Sequence, residues 1–308
     1  MSNRRLSNHS YPDANKKEKD LMSTQAKKTK IDLDIRPFSK APLGAEVRGI
    51  DLSKPLSKET QATIYESFLK HQLLIFRDQK LTKHEQVEFS KQFGELERHT
   101  LRNRGQEDEP LVHVVSNLGP DGKPTGKVNS DMWHTDKSFR PLPSMATILH
   151  AQVLPPNGGD TCFANMYAAY EALSESEKET LDGVKVVHSW ELSRENIGRV
   201  MSEEEKRDAP TNAWPLARVH PETGRKALFM GMHASHIEGK PLEEGRAKII
   251  ALEEHATQQK FCHRHTWQNG DVLMWDNRCL LHRADPNFDA SLHPRILHRT
   301  CLRGTTPA

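Results

Sequence analysis

The chain has 308 residues and a formal net charge of +2, which is long enough for a sizeable core in one large domain or in two. No apolar run approaches the roughly 18 residues of a membrane-spanning helix, and the N-terminus lacks the apolar core of a secretory signal. The four cysteines Cys162, Cys262, Cys279 and Cys301 show no CxxC spacing, so neither a zinc knuckle nor a disulfide framework is indicated. We therefore expect a cytoplasmic protein with small, buried, reduced thiols and no membrane partner.

The first 30 residues differ from the rest in charge. They hold 8 Lys or Arg and 3 Asp or Glu, a net of +5, which leaves 36 basic and 39 acidic residues in 31–308. Such a polar segment cannot bury enough apolar surface to fold, so we interpret 1–30 as a disordered basic tail and 31–308 as one domain. Nucleic acid is not expected as a partner, because no basic stripe with interleaved aromatic residues continues into the body.

Strands and helices alternate in the first third of the chain. Strands are predicted at 31–35, 45–50 and 73–76. Ser57 is a plausible N-cap for a helix that carries Ile64 and Phe68. The segment Thr82-Lys83-His84-Glu85 has the capping-box pattern and opens a second helix, with Phe89 and Phe93 expected on one face.

Later segments are rich in strands. Strands are predicted at 111–115, 132–136, 144–154, 160–163, 261–267, 271–275 and 295–302, and helices at 168–173 and 242–257. The charged segment 193–208 interrupts them, either as a solvated loop or helix or as a lid over a site. Because regular alternation is confined to the first third, the pattern favours an α+β, mostly β fold over a doubly wound parallel sheet.

The segment 132–136, Met-Trp-His-Thr-Asp, carries the first candidate for chemistry. On an extended strand His134 and Asp136 project to the same face. An imidazole and a carboxylate are two of the three ligands of the facial triad that is associated with non-haem Fe(II) oxygenases, because the triad leaves open positions on the metal. The pair alone is a weak signal, since His-x-Glu also occurs at His220 and His236 in a chain with 17 histidines.

Residues further along the chain would complete such a site. With His282 as third ligand, three positions remain for a chelating 2-oxo acid and O2. The distal carboxylate of that acid needs a paired partner inside the protein, and the planar fork of arginine suits it best. Arg295 is the candidate, and Thr161, after the glycine pair 158–159, could add a hydroxyl. Arg299, four residues after Arg295, is expected on the same strand face. Taken singly, Arg295 could equally form a surface ion pair, and Thr161 could equally be an ordinary strand residue.

Together these motifs resemble the taurine/2,4-dichlorophenoxyacetate dioxygenase family, from about Ile31 to the end of the chain. The matching motifs are His134-x-Asp136, Gly158-Gly159-Asp160-Thr161, Trp275-Asp276-Asn277-Arg278, His282 and Arg295-x-x-x-Arg299. The resemblance implies a double-stranded β-helix, or jelly roll, with flanking helices, and an Fe(II)- and 2-oxoglutarate-dependent dioxygenase. It implies that His134, Asp136 and His282 bind iron and that Thr161 and Arg295 bind the distal carboxylate of 2-oxoglutarate.

The resemblance also bears on the substrate. Segments 212–216 and 233–239 look closest to the aryloxyalkanoate branch of the family, whereas Phe93-Gly94-Glu95-Leu96 followed by His99 is shared with taurine-type enzymes. Arg299 would meet the anionic end of the substrate or brace the cosubstrate, and His99 would face the same anion. Residues 129–132 lack a clear match to the asparagine that taurine enzymes place on the substrate amine, which argues against taurine itself.

The expected reaction is hydroxylation of a small organic anion next to a heteroatom, with release of succinate and CO2. An aryloxyalkanoate-type ether is the first candidate, and an alkylsulfonate that releases sulfite is the second. A zinc hydrolase also uses mixed His and Asp ligands, but it has no need of the paired arginines. A non-catalytic jelly-roll binding protein would have no reason to keep all three ligands. We further expect a homo-oligomer.

Overall fold

The computed structural model describes residues 33–98, 108–195, 198, 200–208 and 211–307. Within these ranges the chain is mostly β, with fifteen short strands and seven α-helices, as the sequence predicts. The basic tail 1–30 and His99 lie outside the described residues. In the described part of the chain, no helix is long and apolar enough to cross a membrane.

The elements are numbered here in chain order. The strands are β1 Asp34–Pro37, β2 Ala45–Arg48, β3 Leu73–Phe76, β4 His113–Ser116, β5 Ser144–Val153, β6 Thr161–Asn165, β7 Lys185–His188, β8 Asn212–Pro215, β9 Ala217–Val219, β10 Lys226–Leu228, β11 Ala234–Ile237, β12 Cys262–His265, β13 Val272–Asp276, β14 Leu280–Ala284 and β15 Ile296–Arg303. The helices are α1 Lys58–His71, α2 Lys83–Lys91, α3 Met166–Glu171, α4 Glu175–Leu181, α5 Trp190–Glu195, α6 Glu203–Asp208 and α7 Leu242–Ala256. A short 3-10 turn, Gln259–Phe261, precedes β12.

Two sheets position the site. The large sheet has seven strands in the order β1-β2-β3-β13-β5-β15-β4, in which β2 and β3 are the parallel neighbours. A smaller sheet has the order β12-β6-β14. Two further small sheets have the orders β11-β7-β8 and β10-β9. The seven-stranded sheet carries Thr147 and Arg299, and the β12-β6-β14 sheet carries Thr161 and His282, so the candidate site draws on both.

Strand β13 shows how the core is divided. Its side chains alternate between faces, so Leu273 and Trp275 join one buried cluster while Val272 and Met274 join another. The first cluster fills the space beside β6 and β14, and the second packs under α1 and α2. Both faces of the strand are buried, which explains why the segment 272–275 is apolar without polar alternation. The last residue, Asp276, is buried with its charge paired to Arg278.

The predicted helix starts are confirmed, because caps depend on local chemistry. Ser57 accepts a hydrogen bond from the backbone of Thr60 at the start of α1, and Thr82 with Glu85 forms a capping box at the start of α2. The prediction that Phe93 belongs to the α2 face is wrong, since the helix ends at Lys91. Phe93 nevertheless packs edge-to-face on Phe89, with ring centroids 5.3 Å apart.

Three expectations about strands need correction. No regular strand forms at 132–136, where His134 makes an isolated bridge to His282 and the chain then turns, with Lys137 at φ 54°. Strand β14, which carries His282, was not predicted. Arg295 lies one residue before β15, and the register shifts between residues 296 and 297. The rule that residues four apart share a strand face therefore does not apply to Arg295 and Arg299.

The four cysteines are free thiols. Cys162, Cys279 and Cys301 are buried, as expected, while Cys262 is only half-buried. Burial raises the pKa of Cys262 to about 11, so this thiol is protonated near neutral pH and is a poor nucleophile.

Candidate active site

His134 and His282 are held side by side by their backbones. The N–H of His134 donates to the carbonyl of His282 at 3.0 Å, and the N–H of His282 donates back at 2.8 Å. The imidazole centroids lie 4.2 Å apart. Gly231, at φ 110°, passes so close that a Cβ there would lie 3.1 Å from the Cα of His134. Only glycine fits this passage comfortably, because it tolerates positive φ and needs no room for a side chain.

Asp136 joins the two histidines. The possible ligand atoms of His134, Asp136 and His282 all lie within 4.8 Å of one another, and all three residues are buried. The Asp136 carboxylate is fixed at both oxygens. Thr147 Oγ1 donates to Oδ2 at 2.5 Å, and Arg299 Nη1 lies 3.0 Å from Oδ1. The structure therefore brings together the three residues that the sequence proposed as ligands.

The hydrogen bonds and burial set the protonation of the cluster. His134 Nδ1 lies 2.8 Å from the carbonyl oxygen of Met132, which can only accept, so Nδ1 carries the proton and Nε2 keeps its lone pair. Burial lowers the pKa of His134, and lowers that of His282 well below its usual value. Burial raises the pKa of Asp136, but the Arg299 guanidinium and the hydrogen bond from Thr147 hold this pKa well below the usual range.

These groups suit a transition metal. Two neutral imidazoles and one carboxylate form the 2-His-1-carboxylate donor set of non-haem Fe(II) sites. Buried neutral histidines need no deprotonation before they bind, which favours metal uptake at neutral pH. The donor chemistry of His134, Asp136 and His282 thus fits Fe(II).

A second buried cluster, His220, Asp276 and Cys279, also meets the distance criterion for a metal. Its hydrogen bonds argue against one. His220 Nδ1 accepts from two backbone N–H groups, so Nε2 carries the proton and donates to Asp276 at 3.1 Å. Arg278 donates to both oxygens of Asp276. With its imidazole and carboxylate engaged, this cluster is a structural network.

Arg295 and Thr161 also meet, as predicted from the motifs. Arg295 Nη2 lies 3.3 Å from Thr161 Oγ1, and Trp267 Nε1 donates to the same hydroxyl at 3.0 Å. Burial lowers the pKa of Arg295 to about 10, so the guanidinium stays charged near neutral pH. No carboxylate of the described residues forms an ion pair with it. A buried cation without a paired carboxylate is costly, so this pocket is suited to an anionic ligand.

Arg299 has a different environment. Its Nη1 pairs with Asp136, while its Nε is buried and has no hydrogen-bond partner among the residues that the structure describes. The sequence argument that a second inward cation requires a further anion is therefore weakened, because Asp136 already supplies one. The unpaired Nε leaves the guanidinium with capacity for another acceptor.

An aromatic wall, defined as Phe139, Trp190 and His233, lies beside His134. Ring centroids are 4.8 Å apart for Phe139 and Trp190, 5.1 Å for Phe139 and His233, and 5.5 Å for Trp190 and His233. His233 approaches His134 at 6.4 Å, and burial lowers its pKa well below the usual value, so the ring is neutral. The sequence did not predict this wall. The one feature that pointed toward it was the resemblance of segment 233–239, which contains His233, to the aryloxyalkanoate branch.

Comparisons with known proteins agree with this geometry. The family model "Taurine catabolism dioxygenase TauD, TfdA family" matches residues 34–301. The chain is 40% identical over 242 residues to the alpha-ketoglutarate-dependent 2,4-dichlorophenoxyacetate dioxygenase of Burkholderia sp. (strain RASC), covering 75% of this chain and 81% of the relative. It is 35% identical over 290 residues to the (S)-phenoxypropionate/alpha-ketoglutarate-dioxygenase of Delftia acidovorans, covering 88% and 95%. The crystal structure of AAD-2 in complex with Mn(II) and N-oxalylglycine superposes with a TM-score of 0.79 at 36% identity, covering 89% and 98%.

Proposed function

Since the chain belongs to the taurine catabolism dioxygenase TauD, TfdA family, and so is an Fe(II)- and 2-oxoglutarate-dependent dioxygenase, we propose that it hydroxylates an aryloxyalkanoate-type carboxylate. The family, the activity and the need for iron and 2-oxoglutarate agree with what the sequence predicts. The substrate class and the role of each residue are the proposal. The observation that carries it is the aromatic wall, whose His233 ring approaches His134, while Arg299 pairs with Asp136 in the same ligand cluster.

We assign Fe(II) to His134, Asp136 and His282. The support is the convergence of their ligand atoms within 4.8 Å and the free lone pair on His134 Nε2. Bound there, Fe(II) supplies the oxidative decarboxylation of 2-oxoglutarate by O2 that hydroxylates a C–H bond. Thr147 and Arg299 would keep the carboxylate of Asp136 oriented, as neighbours of metal ligands commonly do.

We assign the distal carboxylate of 2-oxoglutarate to Arg295, with Thr161 as a neutral partner. The charge of Arg295 is buried and lacks an ion pair among the described residues, and an arginine fork matches a carboxylate. Trp267 donates to the Thr161 hydroxyl, so that hydroxyl can turn its own proton toward the ligand carboxylate.

The charges of the site favour a monoanionic substrate. Asp136, Arg295 and Arg299 together carry one net positive charge, and Fe(II) and 2-oxoglutarate cancel each other. A single carboxylate on the substrate would neutralise the remaining charge, and Arg299, with its unpaired Nε, is the proposed anchor. His99 is the proposed companion, although it lies outside the described residues.

The aromatic wall would take the aryl ring of the substrate. Aromatic rings prefer offset or edge-to-face packing, with centroids about 4.5–7 Å apart, and Phe139, Trp190 and His233 already pack in that way. The carbon between the ether oxygen and the carboxylate would then be the one presented for hydroxylation.

Hydroxylation at that carbon gives a hemiacetal, which collapses without further catalysis. The carbon–ether bond breaks, the aryl oxygen leaves as a phenol with the hydroxyl proton, and the carbon keeps the new oxygen as a carbonyl. An alkylsulfonate would instead give an α-hydroxysulfonate that releases sulfite. Phenol and sulfite are thus different products of one oxidation.

The experiment is to supply phenoxyacetate, a short alkoxyacetate and an alkylsulfonate, each with Fe(II) and 2-oxoglutarate. We expect phenol and succinate in equal amounts from phenoxyacetate. Phe139→Ala should raise the KM for phenoxyacetate much more than that for the alkoxyacetate, because only the former has a ring. A higher kcat/KM for the alkylsulfonate than for phenoxyacetate, with sulfite as product, would contradict the proposed substrate class. It would not contradict the dioxygenase activity.

We also propose that the seven-stranded sheet and the β12-β6-β14 sheet form the double-stranded β-helix that the family resemblance implies. The isolated bridge between His134 and His282 supports this, because it lies where ligands from a loop and a strand meet. A homo-oligomer remains part of the proposal. Light scattering of the purified chain tests it directly.

A further inference from the structure

We propose that Asn287 is a positioning residue for 2-oxoglutarate, acting through one peptide unit on the guanidinium of Arg295. It lies in the loop between β14 and β15, and no motif in the sequence singles it out. The inference rests on the proposed function only in that Arg295 receives the distal carboxylate.

Asn287 holds the turn before β6 with both ends of its carboxamide. Its Oδ1 accepts from the backbone N–H of Gly159 at 2.8 Å and from that of Asp160 at 3.3 Å. Its Nδ2 donates to Asp160 Oδ2 at 2.9 Å. The backbone N–H of Asp285 adds a bond to the carbonyl of Asp160 at 2.8 Å. The loop and the turn are therefore fastened at several points around one side chain.

One peptide unit connects Asn287 to Arg295. The N–H of Asp160 faces Asn287 Oδ1, and the carbonyl of the same peptide unit, that of Gly159, accepts from Arg295 Nε at 2.8 Å. A peptide unit is planar, so fixing its N–H also fixes the direction of its carbonyl. Hydrogen bonds in such a chain polarise one another, which strengthens the contact with the arginine.

The bond to Gly159 determines where the guanidinium can point. The group is planar and rigid, so holding Nε sets the directions of Nη1 and Nη2, and Nη2 comes to lie 3.3 Å from Thr161 Oγ1. With Nε engaged by the protein, the terminal nitrogens are the ones left to meet a carboxylate. Losing the anchor would let the guanidinium rotate and weaken a two-point contact.

The two glycines make this arrangement possible. Gly158 and Gly159 both have left-handed φ values, 73° and 71°. A Cβ at Gly158 would lie 2.1 Å from the carbonyl oxygen of Asn287, and one at Gly159 would lie 3.2 Å from Cδ of Arg295. Because neither glycine has a side chain, the turn can pass between Asn287 and Arg295 without a steric clash.

The first test measures cosubstrate binding without turnover. The Mn(II)-loaded parent and Asn287→Ala are titrated by calorimetry with N-oxalylglycine, which carries a distal carboxylate, and with 2-oxobutyrate, which does not. One lost hydrogen bond is worth about 1 kcal/mol, so we expect N-oxalylglycine to bind roughly fivefold to tenfold more weakly. Binding of 2-oxobutyrate should be unchanged, because it makes no use of Arg295.

The second test exchanges the two polar partners. Asn287→Asp keeps the acceptor for the backbone N–H groups but places a second carboxylate against Asp160, so binding of N-oxalylglycine should weaken. Adding Asp160→Asn restores one donor between the two side chains, and binding should return to within about threefold of the parent. If Asn287→Ala does not fold, this pair of variants still tests whether Asn287 positions Arg295 for the distal carboxylate.

Asn129→Ala is the matched control. Asn129 is an exposed asparagine whose Nδ2 donates to the carbonyl of Ser116 at 3.2 Å, and its loss should affect neither ligand. Unchanged N-oxalylglycine binding in Asn287→Ala, equal weakening of both ligands, or failure of the double exchange to restore binding would overturn the role of Asn287. A parent protein that does not bind N-oxalylglycine at all would instead overturn the proposed function.

Discussion

Arg299 Nη1 lies 3.0 Å from Oδ1 of Asp136, so the arginine proposed for the substrate anion is already paired with a proposed iron ligand. Burial lowers the pKa of Arg299, but Asp136 outweighs it and raises this pKa above the usual value. A substrate carboxylate at Arg299 would therefore share the guanidinium with Asp136. Substrate binding and the orientation of the iron ligand would be connected through one side chain.

The first prediction follows from this shared guanidinium. Arg299→Gln should weaken the substrate by at least about 30-fold, because truncating one partner of a buried charge pair costs about 2–5 kcal/mol. Iron binding is measured alongside, because Arg299 also orients the carboxylate of Asp136. Uncoupled oxidation of 2-oxoglutarate should change little. Steady-state kinetics and Fe(II) titration give the three values.

Neutral esters of the same acids are the matched control for Arg299. The parent should turn over the free acids far better than the esters, and the variant should lose that preference. Equal turnover of esters and acids by the parent would show that no anion is anchored there, and Arg299 would then serve only to hold Asp136.

The second prediction concerns the iron ligands. His134→Ala, Asp136→Ala and His282→Ala should each abolish turnover, because a site with two ligands no longer holds Fe(II) well. Equilibrium dialysis against Fe(II) should show the loss of binding, with the fold retained by circular dichroism. His293→Ala is the control for His282, since it removes a half-buried histidine of the same segment. Activity that survives in His282→Ala but not in His293→Ala or His298→Ala would show that the third ligand is misassigned.

The third prediction separates the two cosubstrate contacts. Arg295→Ala should weaken 2-oxoglutarate by roughly 30-fold to 4,000-fold, the range for one lost member of a buried ion pair. Thr161→Val should weaken it less, because its hydroxyl is neutral. Dependence of succinate formation on 2-oxoglutarate concentration measures both. An Arg295→Ala enzyme with the parent's dependence would refute the assignment.

Local chemistry explains which parts of the fold the sequence could predict. Ser57 and Thr82 act within three residues of their partners, and Leu73–Phe76 is apolar at every position because both its faces are buried. Such features need no knowledge of distant segments. The ligand types His134, Asp136 and His282 could be proposed for the same reason, since a motif names residues without giving their surroundings.

Features that depend on distant pairing were missed. The bridge between His134 and His282 joins a loop to β14 across nearly 150 positions of sequence. The contact of Arg299 with Asp136 depends on the register of β15 against β5, which shifts between residues 296 and 297. The aromatic wall combines three segments that no periodic pattern connects.

The fourth prediction concerns the N-terminal tail. A chain that starts at Met22 should keep its activity and its melting temperature, because residues 1–21 offer almost no apolar surface to bury. Differential scanning calorimetry of the two chains at equal concentration provides the comparison. A large drop in melting temperature on truncation would show that the tail docks on the folded body or on a neighbouring subunit.

The fifth prediction concerns pH and the helix α7. Burial raises the pKa of the Glu253 carboxyl from its ordinary value of 4.5 to about 7. The folded state then binds more protons than the unfolded state between these two values, so stability falls as the pH rises through that window. Glu253→Gln removes this cost and should raise the melting temperature by about 2 °C at pH 8, for a half-buried group worth on the order of 1 kcal/mol.

At pH 5 most of the effect should be absent, because Glu253 is already protonated in the folded state and costs little there. Calorimetric scans at both pH values measure the difference. Glu254→Gln is the matched control, since its side chain is exposed on the same helix and should shift the melting temperature little at either pH. An equal shift for Glu253→Gln at pH 5 and pH 8 would show that the gain comes from helix propensity or packing, not from the burial of a charged carboxylate.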